Sequence, residues 1–249
     1  MGRHYHKRNV IAATARGFTL IELAVALVVV ALVLGSIFVP LTTQVQQRKV
    51  SDTQKSLDEI KEALTGFAIA NGYLPCPAIS ATNGLEDKTA GVCTGGKRQG
   101  FIPWVTLGVS KLDAWGHVFR YSVTLAYASS ASPFTFTTAR DITIQTRNGT
   151  GAIINLTNAN SIPAVVLSHG KNGYGAFDDQ GIAQALPLDW ATNYPDENNT
   201  NATGTGTTFV SRVPQDAGAT GTGGEFDDIV AWLSPNILFN RMVAAGKLP

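Results

Sequence analysis

Hydrophobic and polar positions divide the chain sharply near residue 41. No charged residue occurs in residues 23–41. As a helix rising about 1.5 Å per residue, that run spans roughly 28 Å, close to the ~30 Å hydrocarbon core of a bilayer. The pattern then turns amphipathic. Val50, Leu57 and Leu64 recur every seven residues, with Thr53, Ile60 and Phe67 in a second seam, and Arg48, Lys49, Asp52, Lys55, Asp58, Glu59, Lys61 and Glu62 hold the other faces. One apolar stripe of about three heptads predicts a helix packed on the chain's own sheet, not a long coiled coil. Asp58 and Lys61 are opposite charges three residues apart and offset the like-charge pair Asp58–Glu62. Gly35 and Pro40 predict a kink near the outer end of the apolar run, and Asn71-Gly72 predicts a left-handed cap that ends the helix.

Beyond it, residues 73–116 read as a loop-rich connection held by proline, glycine and cysteine. Residues 117–127 alternate apolar and polar, which predicts a strand, and residues 134–138 and 141–147 predict a hairpin pair. A turn signal at Arg147-Asn148-Gly149-Thr150 is followed by strand patterns at 152–156 and 162–167. Residues 176–224 fall into Asn, Thr and Gly with few large apolar side chains. They predict long surface loops, above all at 198–206 and 217–224. A last strand is expected at 229–233. A short helix at 236–245 follows, with Ser234 as its cap and Pro235 in its first turn. These elements predict an α+β fold: a long N-terminal helix packed on an antiparallel sheet, with long loops and a short C-terminal helix.

One charge breaks the apolar pattern. Glu22 stands at the edge of the run, where an unpaired carboxylate costs on the order of 3 kcal/mol or more, so it reads as functional and in need of a partner. The nearest candidate is the amino group that a cut before Phe18 would create. Residues 1–17 are basic, with Arg3, Lys7, Arg8 and Arg16 and no acid. By the positive-inside rule they belong on the cytoplasmic side. Of the chain's 19 Lys and Arg, removing these four leaves 15 against 18 Asp and Glu, with no clustered basic footprint for nucleic acid. Cys76 and Cys93 would then lie in an oxidising compartment, where a single disulfide closing a loop of about 18 residues is the plain expectation.

The string Gly17-Phe18-Thr19-Leu20-Ile21-Glu22 closely resembles the processing site of type IV prepilins and type II secretion pseudopilins. The resemblance implies a leader at 1–17 cut after Gly17, N-methylation of Phe18, and Glu22 at the fifth mature position as the assembly residue that pairs with a neighbour's Phe18 amine. It implies a helix at 18–72, membrane-spanning at 20–41 and amphipathic at 42–72, and a periplasmic pilin-like head at 73–249. The implied partners are other pilin or pseudopilin subunits, a prepilin peptidase and methylase, an inner-membrane assembly platform and the lipid bilayer. The implied location is the inner membrane and then the fibre of a type II secretion pseudopilus or type IV pilus; the enlarged loops favour a minor component. The alternative is a fibre-displayed binding module, a tip adhesin or secretion-cargo receptor.

Three head segments resemble major pseudopilins: Leu112-Asp113-Ala114-Trp115-Gly116 with Tyr121, Ser168-His169-Gly170-Lys171-Asn172-Gly173, and Phe226-Asp227-Asp228-Ile229-Val230-Ala231-Trp232. In that family the last two loops hold one Ca²⁺, which would assign Asn172, Asp227 and Asp228 as ligands; no other cofactor is implied. Asn172 stands where the family has aspartate, and about 50 residues separate the two loops where the family has far fewer. Read by themselves, Asp227 and Asp228 are also ordinary turn formers. No catalytic constellation is expected. Ser168 and His169 are sequence neighbours that point to opposite faces of a strand, and the Gly-rich 170–175 segment lacks the Lys-Ser/Thr and helix of a phosphate loop.

Overall fold

The computed structural model describes Gly17, residues 19–188, Tyr194, residues 196–197, 206–216 and 223–248; within the first helix the side chains of 34–41 are not described. Two compact units result, Met1–Gln47 and Arg48–Pro249. Helix α1, Leu20–Asn71, contributes to both. In the first unit its apolar side chains from Leu20 to Val33 are exposed, and helical structure continues through Pro40. Among the described residues no helix is long and apolar enough to cross a membrane. The outer part of the expected span, and the expected kink, fall on residues 34–41.

In the second unit Thr53, Leu57, Ile60, Leu64 and Ala68 of α1 are buried, a spacing of three and four that keeps one face inward, and Thr65 beside them is buried too. The expected seam therefore begins at Thr53: Val50 is exposed and Phe67 only half-buried. Asp58 and Lys61 pair at 2.7 Å on the outer side. The helix ends where the cap was expected. Gly72 takes φ +80° and its N–H donates to the Ala68 carbonyl at 2.7 Å, closing the last turn in the left-handed conformation that glycine adopts without a Cβ clash.

Four strands form the main antiparallel sheet: β3 Gln99–Phe101, β4 Arg120–Val123, β7 Ala164–Ser168 and β9 Ile229–Trp232, adjacent in that order. Every residue of β7 is buried. Ala164 and Val166 join Tyr121, Val123 and Ala231 in a core with the α1 stripe and with Leu238 and Met242 of helix α3, Pro235–Ala244. The alternate residues Val165 and Leu167 pack with Ile142, Ile144, Ile162 and Phe209. Ile144 and Phe209 of this second group lie on a three-stranded sheet of β6 Ile153–Asn155, β5 Thr143–Arg147 and β8 Thr208–Val210, and Ile142 and Ile162 pair beside it in an isolated bridge. A strand covered on both faces is apolar along its length, as AVVL is, and the buried Ser168 at its end is tolerated because its hydroxyl donates to Asp113. The fold is α+β, as expected.

Several boundaries differ from the sequence reading. The alternating run at 117–127 is a strand only over Arg120–Val123, followed by a 3-10 turn at Leu125–Tyr127. Residues 134–138 form a turn, because Phe134 leaves the strand pattern to stack on Tyr127 at 4.5 Å between centroids. The hairpin partner of β5 is β6, across the Asn148-Gly149 turn. The 73–116 connection contains β1 Lys88–Thr89, β2 Val92–Cys93, β3 and the one-turn helix α2 Trp104–Leu107. Strand β8 pairs parallel to β5, so the smaller sheet is mixed. Ser234 occupies the cap position of α3 without a side-chain hydrogen bond. The loops expected at 198–206 and 217–224 lie largely outside the described residues.

Cys76 and Cys93 are disulfide-bonded, with Cα atoms 5.4 Å apart, and both are buried against the Ala128 carbonyl. A bridge across 17 positions restricts the unfolded chain by about 3 kcal/mol. The double substitution Cys76→Ser/Cys93→Ser is expected to lower the denaturant midpoint correspondingly with little change in slope; an unchanged midpoint would show that the surrounding core pins this loop without the bond.

Candidate functional site

At the start of α1 the sequence places a polar tripod before an apolar run. Glu22 is exposed, and its Oε2 accepts hydrogen bonds from the Thr19 N–H at 3.0 Å and the Thr19 hydroxyl at 2.9 Å. The Glu22 N–H donates to the Thr19 hydroxyl oxygen at 3.2 Å. This is a reciprocal capping box, with threonine at the cap and glutamate three residues on, and it satisfies two otherwise orphaned donors of the first turn. Gly17 is exposed, and Phe18 lies outside the described residues. Glu22 therefore has a local structural task in addition to any task of its charge.

The head's polar centre sits where β7 ends and β9 begins. Ser168 pairs with Ile229, so the loop leaving β7 and the loop entering β9 emerge side by side. Contact between them is close: a Cβ on Gly170, which has φ +61°, would stand 2.2 Å from the Asp227 carbonyl oxygen. The Asn172 N–H donates to Asp227 Oδ2 at 2.7 Å. Behind these loops Asp113 is a buried knot. Its Oδ1 accepts the Trp115 and His117 N–H groups at 2.8 and 2.9 Å, and its Oδ2 accepts the Ser168 hydroxyl at 2.5 Å. Although burial alone would raise the Asp113 carboxyl, the hydrogen bonds from His117 and Ser168 hold it below the usual carboxylate range. His117 Nδ1 lies 3.1 Å from the Gly170 carbonyl and 3.7 Å from Asp113 Oδ2. Burial opposes its charge, yet the Asp113 carboxylate prevails and raises its pKa. Asp228 faces His169, with Oδ1 and Nδ1 3.4 Å apart and both side chains buried.

A further acid, Glu197, closes the centre. It is fully buried, accepts the Asn172 side-chain N–H₂ at 2.7 and 2.8 Å, and accepts the Asp227 N–H at 3.0 Å. Burial, then the charges of Asp228 and Asp227, push the Glu197 carboxyl up to about 9. Burial is also the main cause that raises Asp227, to about 7. Carboxylates crowded in a low-dielectric site resist ionising together, which is the electrostatic signature that a hard cation would relieve. The residues fit such an ion in part. Asp227 Oδ1 is buried without a hydrogen-bond partner among the described residues. Asn172 turns its amide nitrogen to Glu197 while its oxygen accepts the Tyr174 N–H at 3.0 Å, so one of that oxygen's two lone pairs is already engaged. Among the described residues no group of three or more His, Cys, Asp or Glu side chains is arranged to hold a metal.

The pattern Asp113-x-Trp115-Gly116 thus marks a structural knot, and Gly170 marks the close approach of the two loops. Glu197 was not singled out in the sequence. It sits in a polar run with no periodicity, about 30 positions from Asp227 and 25 from Asn172, and only the looping-out of residues between β7 and β9 brings it in.

Residues 13–38 match the family described as the prokaryotic N-terminal methylation motif, the signature of type IV prepilins and pseudopilins. No curated protein and no solved structure matches the chain. The motif supports a type IV pilin- or pseudopilin-like precursor, a structural subunit rather than an enzyme by type.

The raised Glu197 carboxyl gives a signed expectation. Its folded value, about 9, lies above an unfolded value near ~4.3, so the native state binds the proton more tightly. Between those limits its contribution to stability declines as pH rises. In chelator at pH 8 the native Glu197 largely keeps its proton while the unfolded one has lost it, so Glu197→Gln is expected to melt roughly 4–8 °C above the parent if about 2 kcal/mol of that proton-uptake cost is removed, and the gap is expected to close at pH 4.5. Equal melting at pH 8 would mean that the carboxylate is not strained.

Proposed function

We propose that this chain is a non-enzymatic, inner-membrane-anchored subunit of a type II secretion pseudopilus or type IV pilus, and within it a low-copy, minor component. The observation that carries this reading is the methylation motif at residues 13–38. Cleavage after Gly17 by a prepilin peptidase frees the Phe18 amine, which is then methylated. The apolar run at 20–41 holds the precursor in the bilayer and the head lies in the periplasm. An assembly platform draws the subunit into the fibre. There Glu22 pairs with the Phe18 amine of a neighbouring subunit, two charges that are tolerable in an apolar core only together.

Calcium is a second part of the proposal. Asp227 and Glu197 would hold the ion, with Asp228 and the 168–173 loop around it. The crowded acids and the buried, unpartnered Asp227 Oδ1 support this. The ion would screen their repulsion and fasten the β7–β9 corner. Added Ca²⁺ is expected to raise the melting temperature of the chelated protein at pH 8 and to raise that of Glu197→Gln much less. An unchanged melt of the parent would remove calcium from the account.

The capping box makes Glu22 a separable test. Glutamine can close the same box, whereas leucine cannot. Mass spectrometry of membrane-extracted protein is expected to find N-methylated Phe18 at the start of the parent and of both Glu22→Gln and Glu22→Leu, since the cut site is untouched. Both variants are expected to co-purify poorly with partner subunits. Breaking a buried pair from one side costs about 3–5 kcal/mol, more than a hundredfold in recruitment. Normal recovery of Glu22→Gln with loss of Glu22→Leu would assign Glu22 to helix capping alone.

A further inference from the structure

Two arginines at the ends of neighbouring strands close on one carboxylate. Arg147 ends β5, and Arg212 lies two residues beyond β8, the strand that runs parallel to β5. Arg147 Nε and Nη2 donate to Asp196 Oδ2 and Oδ1 at 2.6 and 2.7 Å, and its Nη1 donates to the Gly151 carbonyl at 2.7 Å. Arg212 Nε lies 2.7 Å from Asp196 Oδ2, an ion pair outside hydrogen-bond alignment. Asp196 itself is buried. The other arm of Arg212 reaches a second segment. Its Nη2 donates to the Gly223 and Gly224 carbonyls at 3.0 and 2.8 Å, and its Cζ stands 4.6 Å from the Phe226 ring centroid. The packing is close: a Cβ on Gly223, which has φ +104°, would stand 2.4 Å from Asp196 Oδ2 and 2.5 Å from Arg147 Nε.

Both segments held in this way lead straight into the acidic centre. Glu197 follows Asp196, and Asp227 follows Phe226. The two acids meet through the bond from the Asp227 N–H to Glu197, and through Asn172, which donates to each of them. Crowded carboxylates repel one another, so the segments that carry them need a fastening outside the centre. A planar guanidinium fork on a buried carboxylate fixes both position and orientation. By charge alone these arginines are ill placed for a metal site. Arg212 is near enough to Glu197 for their charges to attract, and it would repel a cation bound there.

We propose that Arg147, Asp196 and Arg212 form the positioning clamp of the acidic centre: they hold Glu197 and Asp227 together ahead of binding, and so raise the affinity for Ca²⁺ although two of the three are positively charged. The inference rests on the calcium reading of that site and deepens it. Without the clamp, the acids would have to be gathered against their own repulsion at the moment of binding; a clamp set in the folded chain removes that cost. Groups that stand behind metal ligands in this way are worth roughly 10–100-fold in affinity.

The test uses the full chain in neutral detergent at pH 8, with Ca²⁺ alone as probe and isothermal titration calorimetry as the measurement. Two variants disturb the clamp without changing its charge: Arg147→Lys loses the fork, and Gly223→Ala wedges it open. Each is expected to weaken Ca²⁺ binding about tenfold or more. Arg212→Gln is expected to weaken it too, whereas an arginine acting by charge alone would make that variant bind more tightly. A second readout needs no metal. In chelated protein labelled with ¹⁵N-asparagine, the side-chain amide resonance that disappears in Asn172→Asp is expected to move in Arg147→Lys and Gly223→Ala, because its acceptor Glu197 is displaced. A cooperative melt in chelator shows that each variant is folded. Unchanged or tighter binding in both charge-preserving variants overturns the proposal, as does an Asn172 resonance that stays in place in both. No uptake by the parent would overturn the calcium reading and the affinity claim with it, while a moved resonance would still uphold the clamp's hold on Glu197.

Discussion

Strand β7 sets the terms for the rest of the head, because all five of its residues are buried and both its faces must be covered. One face takes the α1 stripe from Thr53 to Ala68, and the other takes Ile144 and Phe209 of the smaller sheet together with Ile142 beside it. Neither cover is optional: burying one branched aliphatic side chain is worth about 1.5–3 kcal/mol, and exposing either side of β7 would forfeit several at once. The pairing of Ser168 with Ile229 then places the exit of β7 beside the entry to β9. The polar centre of the head follows from that register.

At that corner, geometry and charge pull in different directions. Asp113 is buried but richly hydrogen-bonded, so its charge is stabilised and it fastens three chain segments. Glu197 and Asp227 are also hydrogen-bonded, yet they face further acids and their carboxyls are raised. The difference is one of company. Neutral hydroxyl and amide donors, together with His117, surround the first; carboxylates surround the other two. A carboxylate in the interior is held down by donors and driven up by its own kind.

The N-terminal motif shows how one side chain can carry two roles that physical chemistry separates. The Thr19–Glu22 box needs only hydrogen-bonding groups, and an amide would serve it as well as a carboxylate. Pairing with an ammonium in an apolar core needs the charge itself. The helix start is thus explained without any partner, and the charge is what remains for assembly.

The sequence by itself determined the elements whose signal is local. Thr53, Leu57, Ile60 and Leu64 announce a helix face through their spacing, Asn71-Gly72 announces its end, Val165 to Leu167 announce a buried strand, and residues 13–38 carry a motif in contiguous residues. Tertiary structure decided what depends on distant pairing. Residues 99–101, within a connection that reads as a loop, became a strand because β4 offered them a ladder, and residues 134–138 failed to become one because Phe134 found Tyr127. Glu197 entered the acidic centre, and Arg120 came to lie between the Phe101 and Phe177 rings, for the same reason. Periodicity records which face of an element is inward, but the cost of a buried charge depends on which groups the fold brings within a few ångströms of it, and no local pattern encodes that.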